Sequence, residues 1–190
     1  MGLFFIILGL FSLVALLYFN FIYKENLSLT INSSPDRNTL LKESSSKEKV
    51  KEASLDIKTD NLEITAPIVE GVEFENLEKG VGHHQNTPWP ELSGNTVLAG
   101  HRWYPGRNPY YQIFYNLDKL KIGDKINIYY EGGRFIYEVI ERKIILPSDT
   151  EILKQTKEPT LTIYTCTPTF TAQKRLVFVS KLISWEAILK

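Results

Sequence analysis

The stretch that decides the fold runs from Thr160 to Val179, TLTIYTCTPTFTAQKRLVFV. Its first part, TLTIYTC, is a β-branched and aromatic run of strand character. With side chains alternating across a strand, Thr162, Tyr164 and Cys166 share one face. Pro168 cannot extend a central ladder, so the strand stops beside the thiol. A second run, RLVFVS, opens at Arg175, nine residues beyond the cysteine. Two strands joined by a turn, with a thiol at the end of one and a cation at the start of the other, form the unit from which the rest is read.

Similar short runs lie upstream. LEITAPI (62–68), NTVLAG (95–100), KINIYYE (125–131) and RFIYEVIERKIIL (134–146) all carry the strand signature. EGGR at Glu131 to Arg134 is a Gly-Gly hairpin signal, and KIGD at Lys121 to Asp124 is a turn leading into a strand. Only Tyr110–Leu120 and Ser148–Thr156 read as helical turns, the second with Ser148 or Asp149 as a cap and Glu151 close behind. Many short strands and few helices over about 130 residues predict an all-β fold, a closed or nearly closed β-barrel, from residue 61 to residue 190.

What precedes the barrel differs in kind. Leu3 to Tyr23, LFFIILGLFSLVALLYFNFIY, carries no charge. About 20 apolar residues at a rise of 1.5 Å cross a hydrocarbon core of roughly 30 Å. A cleaved signal peptide would carry a basic leader and a small-x-small site. Met1-Gly2 and YFNFIYKE (18–25) supply neither, so residues 1–23 are read as an uncleaved transmembrane anchor. Residues 24–60, rich in Ser, Lys, Glu, Asn and Asp, bury too little apolar surface to order a core and are read as a polar tether. The Lys/Glu spacing would also tolerate a solvated helix from Thr39 to Ala53. Lys24 gives only a weak orientation signal, so the side of the membrane has to come from function.

Bulk composition excludes several classes. Twenty-two basic residues balance 22 acidic ones, so no field favours nucleic acid. One cysteine forms no internal disulfide, and with three histidines, two of them adjacent, it makes no structural zinc site. No cofactor is expected.

The lone Cys166 is ordinarily read as a small buried hydrophobe. Its alternative is a nucleophile, which needs help, because a free thiol is only a few per cent ionised near neutral pH. His101 ends GNTVLAGHR, a strand delivering an imidazole to a barrel rim, although taken alone it would pass for a surface or core histidine. Arg175 is a permanent cation with a planar fork of donors, suited to a carbonyl that becomes an oxyanion, although alone it would pass for an exposed strand-edge residue.

TIYTC resembles the TLxTC signature of the sortase family, with Ile163 at the usual Leu. API, L..GVGHH..TPWPELSGNTVLAGHR, F..L..LKIGDKI, YEV and KRLVFVSKL follow in the family's order, over roughly Ile64 to Ile183. The resemblance implies an eight-stranded sortase-type β-barrel with one or two short helices, preceded by an N-terminal transmembrane helix. It implies a cysteine transpeptidase of the bacterial cell surface, anchored by a single pass with its catalytic domain outside. Cys166 would cleave an LPxTG-type sorting signal between Thr and Gly through a thioacyl-enzyme. An amine, from a cell-wall precursor or a pilin lysine, would resolve it. His101 matches the family histidine that moves the protons, Arg175 the arginine that steadies substrate and oxyanion, and Thr165 the residue before the nucleophile, close to bound substrate. Lys174 is adjacent, but alternation favours Arg175.

The sequence also departs from the pattern. Glu91-Leu92 stands where many relatives have Pro-Gly-Glu, and His83 and His84 are given no catalytic role. No acidic cluster indicates calcium. The connection between Cys166 and Arg175 is short, and Asp36-Arg37 is a weak counterpart of a pilin-polymerising lid. These features lean toward a class D-like or housekeeping-type enzyme. Two alternatives stay open: a cysteine hydrolase of surface proteins on the same scaffold, and a non-catalytic peptide-binding barrel.

Overall fold

A computed structural model of the chain describes residues 53–90 and 93–188. The apolar run Leu3–Tyr23, the segment up to residue 52, and Glu91-Leu92 lie outside the described residues, and with them the anchor, most of the tether, the alternative Thr39–Ala53 helix and the Asp36-Arg37 lid candidate. No helix among the described residues is long and apolar enough to cross a membrane.

Eight strands close into a barrel: β1 (Ala53–Lys58), β2 (Glu63–Glu70), β3 (Val81–His83), β4 (Asn95–Ala99), β5 (Lys125–Tyr130), β6 (Gly133–Ile145), β7 (Thr160–Thr167) and β8 (Lys174–Ala187). Around the barrel they run β1-β2-β3-β4-β7-β8-β6-β5, and β5 returns to β1. The β2–β3 and β4–β7 pairs are parallel and the others antiparallel. This is the eight-stranded all-β barrel that the sequence predicts.

Alternation fills the interior. Leu55 and Ile57 of β1, Ile64 and Ile68 of β2, Leu98 of β4, Ile126 and Ile128 of β5, Leu161 and Ile163 of β7, and Leu176 and Phe178 of β8 join one buried cluster. Each fully buried side chain of this size stabilises the fold by roughly 1.5–3 kcal/mol relative to exposure. Two register shifts in β6, at Ile136/Tyr137 and Val139/Glu141, bend that long strand around the core.

The helical content is slight. A one-turn helix, α1 (Phe74–Leu77), and three 3₁₀ turns, Pro109–Gln112, Leu117–Lys119 and Glu151–Leu153, complete the structure. The expected Tyr110–Leu120 segment thus becomes two short turns, the first started by Pro109 and by Asn108, whose Oδ1 accepts from Tyr110 N at 2.9 Å. Between them Phe114 is fully buried and closes one end of the barrel. In the Ser148–Thr156 segment Asp149 Oδ1 accepts from Glu151 N at 3.0 Å, but only a single turn forms.

The structure places two boundaries differently. The first described strand of the barrel starts at Ala53, inside the stretch read as tether, and β1 bridges β2 and β5. The β5–β6 hairpin turns on Glu131 and Gly132, one residue earlier than the Gly-Gly pair, with φ of 47° and 79° at the two positions. That is the doubly left-handed pattern of a tight hairpin turn. At this end Ala53 pairs with Tyr130, Tyr130 with Gly133, and Gly133 with Ala187, so both ends of the described chain reach the same rim.

Candidate active site

The candidate residues of the sequence lie at the opposite rim. β4 and β7 are parallel and both end there, while β8 begins there. The β4–β7 register pairs Ala99 with Tyr164. It continues past the strand: Gly100 N donates to Tyr164 O at 3.3 Å, and Thr165 Oγ1 donates to Gly100 O at 2.7 Å. Continued by one residue on each chain, the same register would bring His101 level with Cys166. Across the next ladder Cys166 pairs directly with Arg175. Directly opposed residues carry their Cβ atoms about 4.5–5.5 Å apart. The three side chains marked in the sequence therefore stand on one row across three neighbouring strands.

That row is on the outer face of the wall. Leu161, Ile163 and Leu176 point into the interior cluster, and Cys166 and Arg175 alternate away from it. Val97, Ala99 and Val177 are buried too, yet do not belong to that cluster. They form a sheltered apolar floor beneath the row. Tyr164 lies in this floor, two residues below Cys166, and burial pushes its phenol pKa up, with the Arg175 guanidinium pulling it back down and Cys166 adding to the rise.

Local sequence explains how each group is held. Gly100 precedes His101 because a Cβ there would sit 2.5 Å from the Phe114 ring. The same phenylalanine donates its N–H to His101 O at 3.0 Å, so the backbone on both sides of the glycine is fixed. Asn95 starts β4 and ties it to the β6–β7 connection: Nδ2 donates to Ile152 O at 2.8 Å and Lys154 O at 3.2 Å, and Oδ1 accepts from Thr162 Oγ1 at 2.9 Å. This accounts physically for the Asn and the Gly of GN-x-x-x-AGHR. Arg175 rests on the β7–β8 connection, its Nη1 donating to Ala172 O and Lys174 O, both at 3.1 Å.

Thr165, expected near substrate, has its side chain in the opposite direction from Cys166. It is 1% exposed and its hydroxyl is committed to Gly100 O. It joins the cysteine strand to the histidine strand. His83 is also fully enclosed: Nδ1 meets Glu70 Oε2 at 2.9 Å, Nε2 meets Pro88 O and Thr87 Oγ1 at 3.2 Å, and the ring stacks on Trp89. Its part is to brace β3, and His84 Nδ1 contacts only Gln85 O.

His101 sits in an aromatic enclosure absent from the sequence reading. Phe74 of α1 lies 5.3 Å from its ring centroid, and Tyr104 and Tyr111 each lie 6.0 Å away. Nε2 is buried without a hydrogen-bond partner among the described residues. Burial holds the imidazole pKa below its usual value, and the Glu78 carboxylate pulls it partly back up. Farther out, Trp103 and Phe170 meet edge to face at 5.1 Å, both exposed, one from each side of the row. These residues come together from separate loops, so no local spacing marks them.

A half-buried thiol, an imidazole and a guanidinium thus come to one rim of the barrel, a set of groups chemically able to serve a thiol nucleophile. A family model described as Sortase domain matches residues 57–183, and the chain belongs to the sortase family. It is 34% identical over 134 residues to Sortase D of Bacillus subtilis strain 168, covering 68% of this chain and 63% of that protein. It resembles the structure of a Clostridium perfringens Sortase D5 transpeptidase, at TM-score 0.62 and 34% identity, over 75% of this chain and 88% of that one. It also resembles Sortase C-3 of Streptococcus pneumoniae, at TM-score 0.63 and 30% identity, over 72% and 64%. The chain thus spans 63% of the length of the Bacillus subtilis Sortase D and 38% of the length of Sortase SrtE1 of Streptomyces coelicolor, to which it is 29% identical.

Proposed function

We propose that this chain is a class D-like sortase transpeptidase, anchored in the membrane by Leu3–Tyr23 with its barrel outside the cell. The observation that carries the reading is the single row of His101, Cys166 and Arg175. Cys166 Sγ bonds to the Thr carbonyl carbon of an LPxTG-type signal, the Thr–Gly C–N bond breaks, and the leaving amine takes a proton from His101. An amine acceptor, a cell-wall precursor or a pilin lysine, then attacks the thioacyl carbon, gives its proton to His101 and releases the thiolate. Arg175 supplies donors where negative charge gathers on the carbonyl oxygen. The apolar floor of Val97, Ala99 and Val177 favours an extended peptide with apolar side chains facing it.

The test is cleavage of an LPxTG-type peptide by the full chain, with and without an added amine. Cys166→Ala should abolish cleavage with the barrel intact, because no second thiol replaces it. Arg175→Lys should recover only part of the activity, since an ammonium lacks the planar fork. Mass spectrometry of the product separates transfer to amine from transfer to water. Activity that persists in Cys166→Ala would overturn the reading.

A further inference from the structure

Glu78 follows α1 directly, and its neighbourhood converges on His101. Tyr111 Oη donates a hydrogen bond to Glu78 Oε1. The Tyr111 ring meets the His101 ring edge to face, at 6.0 Å and 83°. Phe74, four residues before Glu78, covers another side of the imidazole at 5.3 Å. Asn108 Nδ2 donates to Glu78 O at 2.7 Å and so fixes the backbone beneath the carboxylate. Tyr111 itself has little freedom: Tyr104 packs on it at 5.0 Å, and a Cβ on Gly106 (φ +145°) would lie 2.5 Å from its Cε2.

We propose that Glu78, latched by Tyr111, is the positioning residue of His101, a fixed carboxylate that sets the orientation of the imidazole and the ease with which it takes up a proton. The proposal rests on the transpeptidase reading, in which His101 must carry a proton to the leaving amine and receive one from the acceptor. An enclosure of Phe74, Tyr104 and Tyr111 keeps solvent from that ring and so disfavours its charged form. The Glu78 carboxylate bonded to Tyr111 acts against that penalty, and Nε2 is left without a hydrogen-bond partner among the described residues. Among the described residues, the other titratable or charged groups near the ring are Tyr104 and Tyr111 from the β4–β5 connection, the adjacent Arg102, which pairs with Asp118, and the paired Cys166 and Arg175 on the neighbouring strand ends. Hydrogen bonding to Glu78 pushes the Tyr111 phenol up, so it remains a donor throughout the working pH range.

The experiment follows the His101 imidazole by histidine-labelled NMR titration of the full chain, resolved from His83 and His84 with a His101→Ala sample, beside the pH profile of kcat/KM. Glu78→Gln should move the His101 titration to lower pH, shift the acidic limb of kcat/KM with it, and lower kcat on the order of tenfold with KM nearly unchanged. That is short of the ~10²–10⁴ typical of losing the proton-transfer group itself. Glu78→Asp should keep most of the titration position. Tyr111→Phe should move it part of the way, and Glu78→Gln/Tyr111→Phe should match Glu78→Gln, as for two residues acting through one contact. An imidazole that titrates identically in wild type and Glu78→Gln would overturn the proposal, as would Glu78→Asp behaving like Glu78→Gln. Because the titration is read at the ring, it does not depend on turnover. An inert wild type whose His101 responds to Glu78→Gln would sink the transpeptidase reading and keep the coupling; an active enzyme with an indifferent imidazole would sink only the coupling.

Discussion

His101 is the residue whose environment has the clearest consequence for stability. Burial holds its folded-state pKa below the usual histidine value of 6.5. The unfolded chain therefore binds more protons than the folded one in the window between the two values. The contribution of the neutral ring is fully present above about pH 6.5 and is lost as pH falls through the folded-state value. The expected outcome is a urea-unfolding midpoint that falls more steeply in wild type than in His101→Ala as pH is lowered from 7.5 toward 5. Parallel curves would mean that the ring is not buried as neutral imidazole. The strand ends that carry His101, Cys166 and Arg175 were legible in the sequence because each has a distinct local context: AGHR, TIYTC and RLVF. Glu78 and Tyr111 were not, since their contact joins positions 33 residues apart. Thr165 was legible as a neighbour of the site, but the direction of its side chain follows from the pleat, which turns it inward when Cys166 points out.

Among the elements, the strands with strong β-branched runs were readable and the two with unusual composition were not. β3 is only Val81–His83, with a glycine in the middle, and lies in a stretch whose Gly and Pro content looks like loop. β1 hides among charges. Ala53, Leu55 and Ile57 alternate with Ser54, Asp56 and Lys58, a period-two pattern that the surrounding Lys, Glu and Asp obscure. Its importance is topological, because it is the strand that joins β2 to β5. A chain beginning at Asn61 would leave both of those edges unpaired and expose the core to the left of them. Removing residues 1–50 should yield a monodisperse, β-dominated protein by circular dichroism and light scattering. Removing residues 1–60 should yield aggregate or loss of cooperative unfolding. A monomeric, cooperatively folding chain from Asn61 would show that closure by β1 is dispensable.

At the scale of the molecule, the proposed topology places the barrel on the outer side of the membrane, a point on which the residues beyond the described domain bear and on which Lys24 gave little guidance. Protease added to intact protoplasts should digest the barrel while the membrane remains sealed. Full protection of the barrel would reverse the orientation. The balance of 22 basic and 22 acidic residues gives the chain no strong net field, so nonspecific adhesion to an anionic lipid surface should contribute little to its position.

The row that pairs Ala53, Tyr130, Gly133 and Ala187 brings both ends of the described chain to the rim away from Cys166. From Arg175 to Ala187, β8 extends up to about 40 Å at the usual rise per strand residue. A linkage made at either end of the described chain therefore attaches at the rim away from Cys166, which suits the domain to immobilisation on a solid support with the thiol clear of the surface.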